Sequence, residues 1–212
     1  MKLYGHPMST CTRKVLATLA EKKHKADFVL VDIMKGEQKN PEFLARQPFG
    51  QVPALEDDGF SLYESRAIIR YLDGKLPGQS LTPTDLQSRA RMEQWIHIEQ
   101  SYFSPAAMKL IMQNMLAPMR GGTPDAAIVK KGREELDVVL DITEKALAKQ
   151  EYLAGGTFSL ADITWMPYVE YLFPAKGGDA ITSRPNVAAW WNRVSSRASW
   201  KEVVGTPAAQ QA

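Results

Sequence analysis

The chain has 212 residues, 44% of them hydrophobic and 24% charged, which allows one large or two small packed domains and excludes a disordered protein. Up to residue 78 there are 12 Lys and Arg against 10 Asp and Glu, and beyond it 14 against 14, so neither part has the basic excess that a nucleic-acid backbone demands of its partner. No apolar run approaches the ~18 residues of a membrane span, the opening MKLYGHPMST lacks the pattern of a signal peptide, and the one cysteine, Cys11, cannot form an internal disulfide; a cytoplasmic, reducing setting is expected.

Lys2 to His6 and Phe28 to Ile33 are short runs rich in apolar residues. The second is apolar on both alternating faces, which predicts a strand buried within a sheet and parallel to its neighbour. Between them, Ser9 to Lys25 places Val15, Leu16, Leu19 and Ala20 at helical spacing behind a Ser/Thr start, completing a βαβ unit. Asn40 and Pro41 open a short helix in NPEFLARQ. Val52 to Glu56 and Phe60 to Tyr63 then flank Asp57-Asp58-Gly59, and an Asp-Gly between apolar runs signals a hairpin. Ser65 caps a further helix with Ala67, Ile68, Tyr71 and Leu72 on its packing face. The order βαβ, short helix, ββα is that of a thioredoxin-like domain, expected over residues 1–77.

After Leu76-Pro77-Gly78, an expected linker, the periodicity is helical throughout, and an all-helical domain is expected over 84–212. Thr84 to Met119 reads as one long helical stretch with Met92, Trp95, Ile96, Tyr102, Phe103 and Leu110 near one stripe, closed by Gly121-Gly122. Leu136, Val139, Leu140, Thr143 and Leu147 mark a second helix running to about Gln150. Ser159 and Asp162 have capping-box spacing at the start of a third, with Phe158 and Ile163 as a hydrophobic staple. Ser199 and Glu202 repeat the box near the C-terminus, and Trp190-Trp191 reads as helix packing.

The strings GHPMSTCTRKVL (Gly5 to Leu16), FGQVPALED (Phe49 to Asp57) and LYESRAIIRYL (Leu62 to Leu72), in this order and spacing, resemble the glutathione S-transferases, and the first eighty or so residues look most like the phi class. EQSYFSP and FSLADITWMPY in the helical part are similar to family patterns as well. The resemblance implies a thioredoxin-like domain followed by an all-helical one, glutathione as co-substrate with no metal, transfer of its thiolate to small apolar electrophiles in detoxification, and a homodimer.

Physical chemistry supplies a job for each matching residue. A free thiol has a pKa near 8.5, so lowering it by about two units takes roughly 2.7 kcal/mol. A hydroxyl at a helix N-terminus favours the thiolate through its hydrogen bond and the oriented N–H groups around it. Ser9 stands where the phi-class catalytic serine is found, although a plain N-cap would explain it from the residues alone. Cys11 and Thr10, within the same turn, are the alternatives. Cys11 would support mixed-disulfide, thiol-transfer or peroxide chemistry, or else be a buried small hydrophobe. Arg13 adds positive potential near the sulfur or lies on a solvated helix face.

The resemblance makes the Val52-Pro53 bond cis, turning the Val52 backbone toward the cysteinyl part of glutathione, with Gln51 beside the γ-glutamyl part. It gives Ser65, at a helix start, the γ-glutamyl carboxylate and Glu64 the ammonium. Lys39 would reach the glycyl carboxylate, with Gln38 standing where a histidine is common. For the electrophile, Met8, Tyr102, Phe103, Met108, Met112, Met115 and Met119 are the candidates, about half of them expected to be packing only. His6, His24 and His97 show no metal-ligand spacing. A carrier that binds apolar ligands without catalysis is the remaining reading of the same fold.

Overall fold

The computed structural model describes residues 1–205, so the end of the expected 84–212 domain, 206–212, lies outside the described residues. The described residues form two compact units, Met1–Ser80 with 197–205, and Leu81–Ser196. The first is thioredoxin-like. Strands β1 (Lys2–Gly5), β2 (Asp27–Leu30), β3 (Ala54–Asp57) and β4 (Phe60–Tyr63) form a sheet of order β2-β1-β3-β4, accompanied by helices α1 (Thr10–Glu21), α2 (Pro41–Leu44) and α3 (Ser65–Lys75). β1 runs parallel to β2 and antiparallel to β3, which pairs antiparallel with β4.

Strand β2 is parallel to β1 as expected, but it lies at the sheet's edge rather than within it. Its Phe28, Val29 and Leu30 are only half-buried. An apolar run does not distinguish two covered faces from a strand paired on one side. The hairpin follows its Asp-Gly signal: Asp57 pairs with Phe60 across a two-residue turn in which Asp58 (φ 50°) and Gly59 (φ 84°) are both left-handed, the geometry that matches strand twist.

Register carries the functional consequence. Tyr4 pairs with Ala54, Ala54 with Tyr63, and Gly5 with Leu30. The segments leaving the C-terminal ends of β1, β2 and β4 and the one entering β3 therefore emerge from one end of the sheet.

Helix α1 packs against α3 and against α11 (Ala198–Gly205). Lys22 at the end of α1 donates to Asp73 of α3 and to the Gln79 carbonyl, each at 3.0 Å, with the Lys22 and Asp73 side chains almost wholly buried. Residues 197–205 group with the first compact unit, and one sequence-based expectation is corrected at α11. Ser199 is not a cap, because it lies inside α11, where the Trp200 and Lys201 N–H groups bond the Arg197 carbonyl; its hydroxyl donates instead to Glu21 of α1. Arg197 grips the same carboxylate with two bonds of 2.7 Å.

In the second unit the expected long helix is interrupted twice. α4 (Leu86–Ile98), α5 (Ser104–Ile111) and α6 (Ala117–Met119) are joined by π turns at Glu99–Phe103 and Met112–Leu116. Each π turn stands just before a proline, Pro105 or Pro118. Proline lacks an N–H and its ring collides with the carbonyl four residues back, so a widened turn, with Ser104 N–H bonding Glu99 O and Ala117 N–H bonding Met112 O, carries the helix past it. α7 (Ala126–Leu147) packs on α5, on the short α9 (Gly178–Thr182) and on α10 (Pro185–Ser195).

α8 (Leu160–Leu172) is the core of this unit, buried along nearly its whole length. Trp165 is stacked on Phe103 at 4.0 Å and meets Trp95 and Trp190 edge-on at 5.7 and 6.5 Å. The capping box forms as its spacing predicts: Asp162 accepts from Ser159 N–H at 2.9 Å, Ser159 Oγ accepts from Ala161 N–H at 3.3 Å. Asp162 also accepts from Leu153 N–H and the Trp190 indole, two long-range bonds that spacing does not reveal. Among the described residues no helix is long and apolar enough to cross a membrane.

Candidate active site

The loop from β1 to α1 builds the first part of the site. Ser9 is the N-cap of α1, with φ −74° and ψ 124°. Its N–H donates to His6 O at 2.9 Å, and its Oγ accepts the Thr12 N–H at 3.2 Å. A serine hydroxyl has one proton and two lone pairs, so capping engages one lone pair and leaves the O–H as a donor. Capping and thiolate stabilisation are compatible in this one oxygen.

Neighbouring groups hold the loop still. His6 Nδ1 accepts the Met8 N–H at 3.2 Å, the His6 N–H donates to Thr12 Oγ1 at 3.3 Å, and Arg13 Nε donates to Pro7 O at 2.8 Å. Burial lowers the His6 pKa, against the opposing charge of Asp32, in keeping with an Nδ1 that must stay unprotonated to accept. Gly5 is required here, because a Cβ would lie 2.6 Å from Thr12 Cγ2. Met8, Thr10 and Cys11 sit half-buried around Ser9, and the Cys11 thiol is free. The Arg13 side chain is a strut for the loop. His6 and Thr12 were not among the expected site residues; a Gly before a helix start was the available hint.

The second part comes from the segment between β2 and β3. A 3₁₀ turn at Glu37–Lys39 presents Gln38 and Lys39. Lys39 Nζ donates to Phe49 O at 3.1 Å, and Gly50 is left-handed at φ 61° with room for no side chain, since a Cβ would lie 2.7 Å from Lys39 Nζ and 2.8 Å from Gln38 O. Gln38 Oε1 is buried without a hydrogen-bond partner, a polar atom whose desolvation is uncompensated. Gln51 is exposed, its N–H held by Gln47 Oε1 at 3.0 Å. The Val52-Pro53 bond is cis, with Val52 packed against the cluster of Tyr4, Val31, Phe43 and Ala54.

The third part is the turn from β4 into α3. Glu64 is exposed and left-handed, with φ 70° and ψ 107°, while its carbonyl accepts the Ala67 and Ile68 N–H groups. A glutamate held there costs of order 1–3 kcal/mol. Ser65 is not the cap its spacing suggests but the first residue of α3, with Glu64 at the cap position, and it is buried. Three loops, bearing Ser9, Lys39 through Pro53, and Glu64-Ser65, thus extend from the same end of one sheet.

The electrophile candidates are dispersed. Met8 precedes Ser9 in the first unit. In the second unit Phe103 is fully buried between Trp165 and Tyr168 and is core, not pocket lining. Tyr102, 63% exposed, points to a groove of about 440 Å³ shared with Pro105, Lys109 and Val138. Met112 and Met119 are exposed, and Met108 and Met115 half-buried. Met112 and Met115 lie in the second π turn, pinned by Asn114 Nδ2 to Ala175 O at 2.9 Å and by Gln113 Oε1 to the Asp125 N–H at 2.7 Å.

Known proteins resemble this chain over nearly its whole length. The family model for the glutathione S-transferase N-terminal domain matches residues 1–74, and that for the C-terminal domain matches 103–198. Glutathione S-transferase F10 of Arabidopsis thaliana is 41% identical over 200 residues, 93% of each chain. The crystal structure of glutathione transferase F7 from Populus trichocarpa superposes with a TM-score of 0.92 at 43% identity, covering 96% of this chain and 97% of that one. Glutathione S-transferase I from maize, solved in complex with an atrazine glutathione conjugate, superposes with a TM-score of 0.89 at 35% identity over 99% and 97% of the two chains.

Proposed function

Because the chain belongs to the glutathione S-transferase family and is most like its phi-class members, we propose that it conjugates the thiolate of reduced glutathione to small apolar electrophiles. The observation that carries the reading is the convergence of three loops at one end of the sheet, each bearing groups suited to a different part of the peptide. Lys39 offers a cation to the glycyl carboxylate, the Val52 backbone before cis Pro53 pairs with the cysteinyl backbone, and Gln51, Glu64 and Ser65 receive the γ-glutamyl end.

Ser9 donates its O–H to the sulfur while Thr12 holds its oxygen in place. Stabilised as the anion, the sulfur attacks an electrophilic carbon. In substitution the S–C bond forms as the leaving group departs with its electron pair; in addition the carbanion or enolate takes a proton from water. The chain supplies no electrons, only position and charge. Met8, next to Ser9 in the chain, is proposed to contact the electrophile, its thioether adapting to varied apolar shapes. The test is glutathione-dependent conjugation across aryl halides, isothiocyanates and enals. Absence of turnover with all of them, together with failure to bind a glutathione matrix, would overturn the reading.

A cytoplasmic, detoxifying homodimer completes the proposal. Phe49, 65% exposed at the tip of its loop, and the apolar groove beside Tyr102 offer surface that a second copy would cover. Sedimentation at micromolar concentration tests it, with a monomer contradicting it.

A further inference from the structure

Helix α2 has four residues, far too few to hold itself together in water. Its one apolar anchor is Phe43, buried in the cluster with Tyr4, Val31 and Ala54, and an open pocket of about 240 Å³ bordered by Val29, Leu30, Asn40 and Arg46 flanks it. The segment that presents Gln38, Lys39, Gly50 and Gln51 therefore needs tethers. At its start the Glu37 carboxylate accepts the Asp32 N–H at 2.7 Å, and the Glu37 N–H donates to Asp32 O at 3.1 Å. At its end there is a charged clamp onto the sheet. Arg46 Nε donates to Glu56 Oε1 of β3 at 2.8 Å, and Tyr4 of β1 donates its hydroxyl to Glu56 Oε2 at 2.8 Å. The guanidinium lies over the Tyr4 ring, 4.8 Å from its centre, and also donates to the Glu42 carbonyl at 2.9 Å, closing the last turn of α2.

The groups suit one another chemically. The Tyr4 hydroxyl, foremost, and Arg46 hold the Glu56 carboxyl below its ordinary pKa against the opposing effect of burial, so both bonds are charge-assisted and stronger than neutral ones. Tyr4 is buried, which fixes the platform on which Arg46 rests.

We infer that Arg46, through Glu56 and Tyr4, is the positioning residue of the glycyl end of the glutathione site, setting where Lys39 and the Gly50-Gln51 backbone stand. The inference rests on the proposed use of glutathione. Arg46 touches no substrate. Its effect is on how well the peptide's last residue is held, and therefore on the choice between glutathione and γ-glutamylcysteine, which has the same thiol but no glycine.

The experiment measures kcat and KM for both peptides with one aryl halide, in the wild type, Arg46→Ala, Arg46→Lys, Glu56→Gln, Tyr4→Phe, Lys39→Ala and the Lys39→Ala/Arg46→Ala double variant. In Arg46→Ala the KM for glutathione is expected to rise about tenfold, equivalent to about 1.4 kcal/mol, with kcat within about twofold. The KM for γ-glutamylcysteine is expected to stay within about twofold. Tyr4→Phe, which removes one hydrogen bond, should shift the same ratio less, and Arg46→Lys should restore part of it. The double variant should discriminate no worse than Lys39→Ala, because both substitutions act on one contact. A KM that rises equally for both peptides means general loosening and overturns the inference, as does an unchanged ratio. Should Arg46→Ala not fold, Tyr4→Phe and Glu56→Gln decide by the same ratio. A wild type that turns over neither peptide defeats the underlying proposal instead.

Discussion

Replacing Ser9 separates the two duties assigned to its hydroxyl. Ser9→Ala removes the acceptor for the Thr12 N–H, a 3.2 Å bond to a residue with no exposed surface, and losing such a cap costs about 1 kcal/mol. Ser9→Gly is expected to cost only a few tenths of a kcal/mol, the usual difference between serine and glycine at an N-cap. Both variants lose the same donor to the thiolate. If that donor and its setting lower the thiol pKa by about two units, the loss amounts to at most about 2.7 kcal/mol and ~100-fold in rate. Stability by urea melting should therefore rank wild type, Gly, Ala, whereas the pKa of bound glutathione, followed by thiolate absorbance, should rise equally in Gly and Ala. Ser9→Thr keeps the hydroxyl and should retain a lowered pKa. A bound thiol that titrates as in the wild type in both Ala and Gly variants would refute the catalytic role and leave Ser9 as a cap.

The structure sets further expectations. Asp162 is fully buried and accepts from Leu153 and Ser159 N–H, Ser159 O–H and the Trp190 indole. Asp162→Ala strands these donors at about 1–3 kcal/mol each, a loss near the whole stability of a domain; Asp162→Asn, which keeps one acceptor, should be milder in denaturant melts, and equal losses would contradict the bonding described. For Glu21, burial by itself would raise the carboxyl pKa, but the bonds from Arg197 and Ser199 outweigh it and hold it below the ordinary value of 4.5. Its stabilisation is thus present above the unfolded pKa and lost as pH falls through the lower folded one. Amide exchange in α11 should accelerate in that acid range in the wild type and be fast and pH-insensitive, after correction for intrinsic rates, in Glu21→Gln; no difference between them would sink the clamp. Glu64→Gly relieves left-handed strain of ~1–3 kcal/mol at an entropic cost of ~0.5–1, so melting should be unchanged or higher while the KM for glutathione rises several-fold. An unchanged KM would remove Glu64 from the site.

What could be read in advance was whatever local chemistry dictates. Asp58-Gly59 needs two left-handed residues and receives them, Ser9 and Ser159 cap the helices that follow them, and the alternation of strand and helix gives the thioredoxin-like order. What escaped depends on distant partners. Nothing near Glu21 announces Arg197, 176 positions away, or the Ser199 hydroxyl beside it, so spacing alone reads Ser199 as a cap. A strand's apolar run cannot say whether it is central or at the edge, as β2 shows. The π turns had a visible cause in Pro105 and Pro118, but helical periodicity alone carried the reading straight through them. In the candidate site, His6, Arg13 and Gln47 brace loop backbone through neighbours that only the fold brings close. Phe103, on the same stripe as Tyr102's neighbours, is core because the π turn carries it onto Trp165.

The most direct test of the account is mass spectrometry of the products formed from reduced glutathione and an aryl halide by the wild type, Ser9→Ala and Cys11→Ser. The expected result is a glutathione–aryl thioether, with loss of halide, from the wild type and Cys11→Ser at comparable rates and far more slowly from Ser9→Ala. Turnover that survives in Ser9→Ala and disappears in Cys11→Ser, with glutathione disulfide-linked to Cys11 in the wild type, would contradict it.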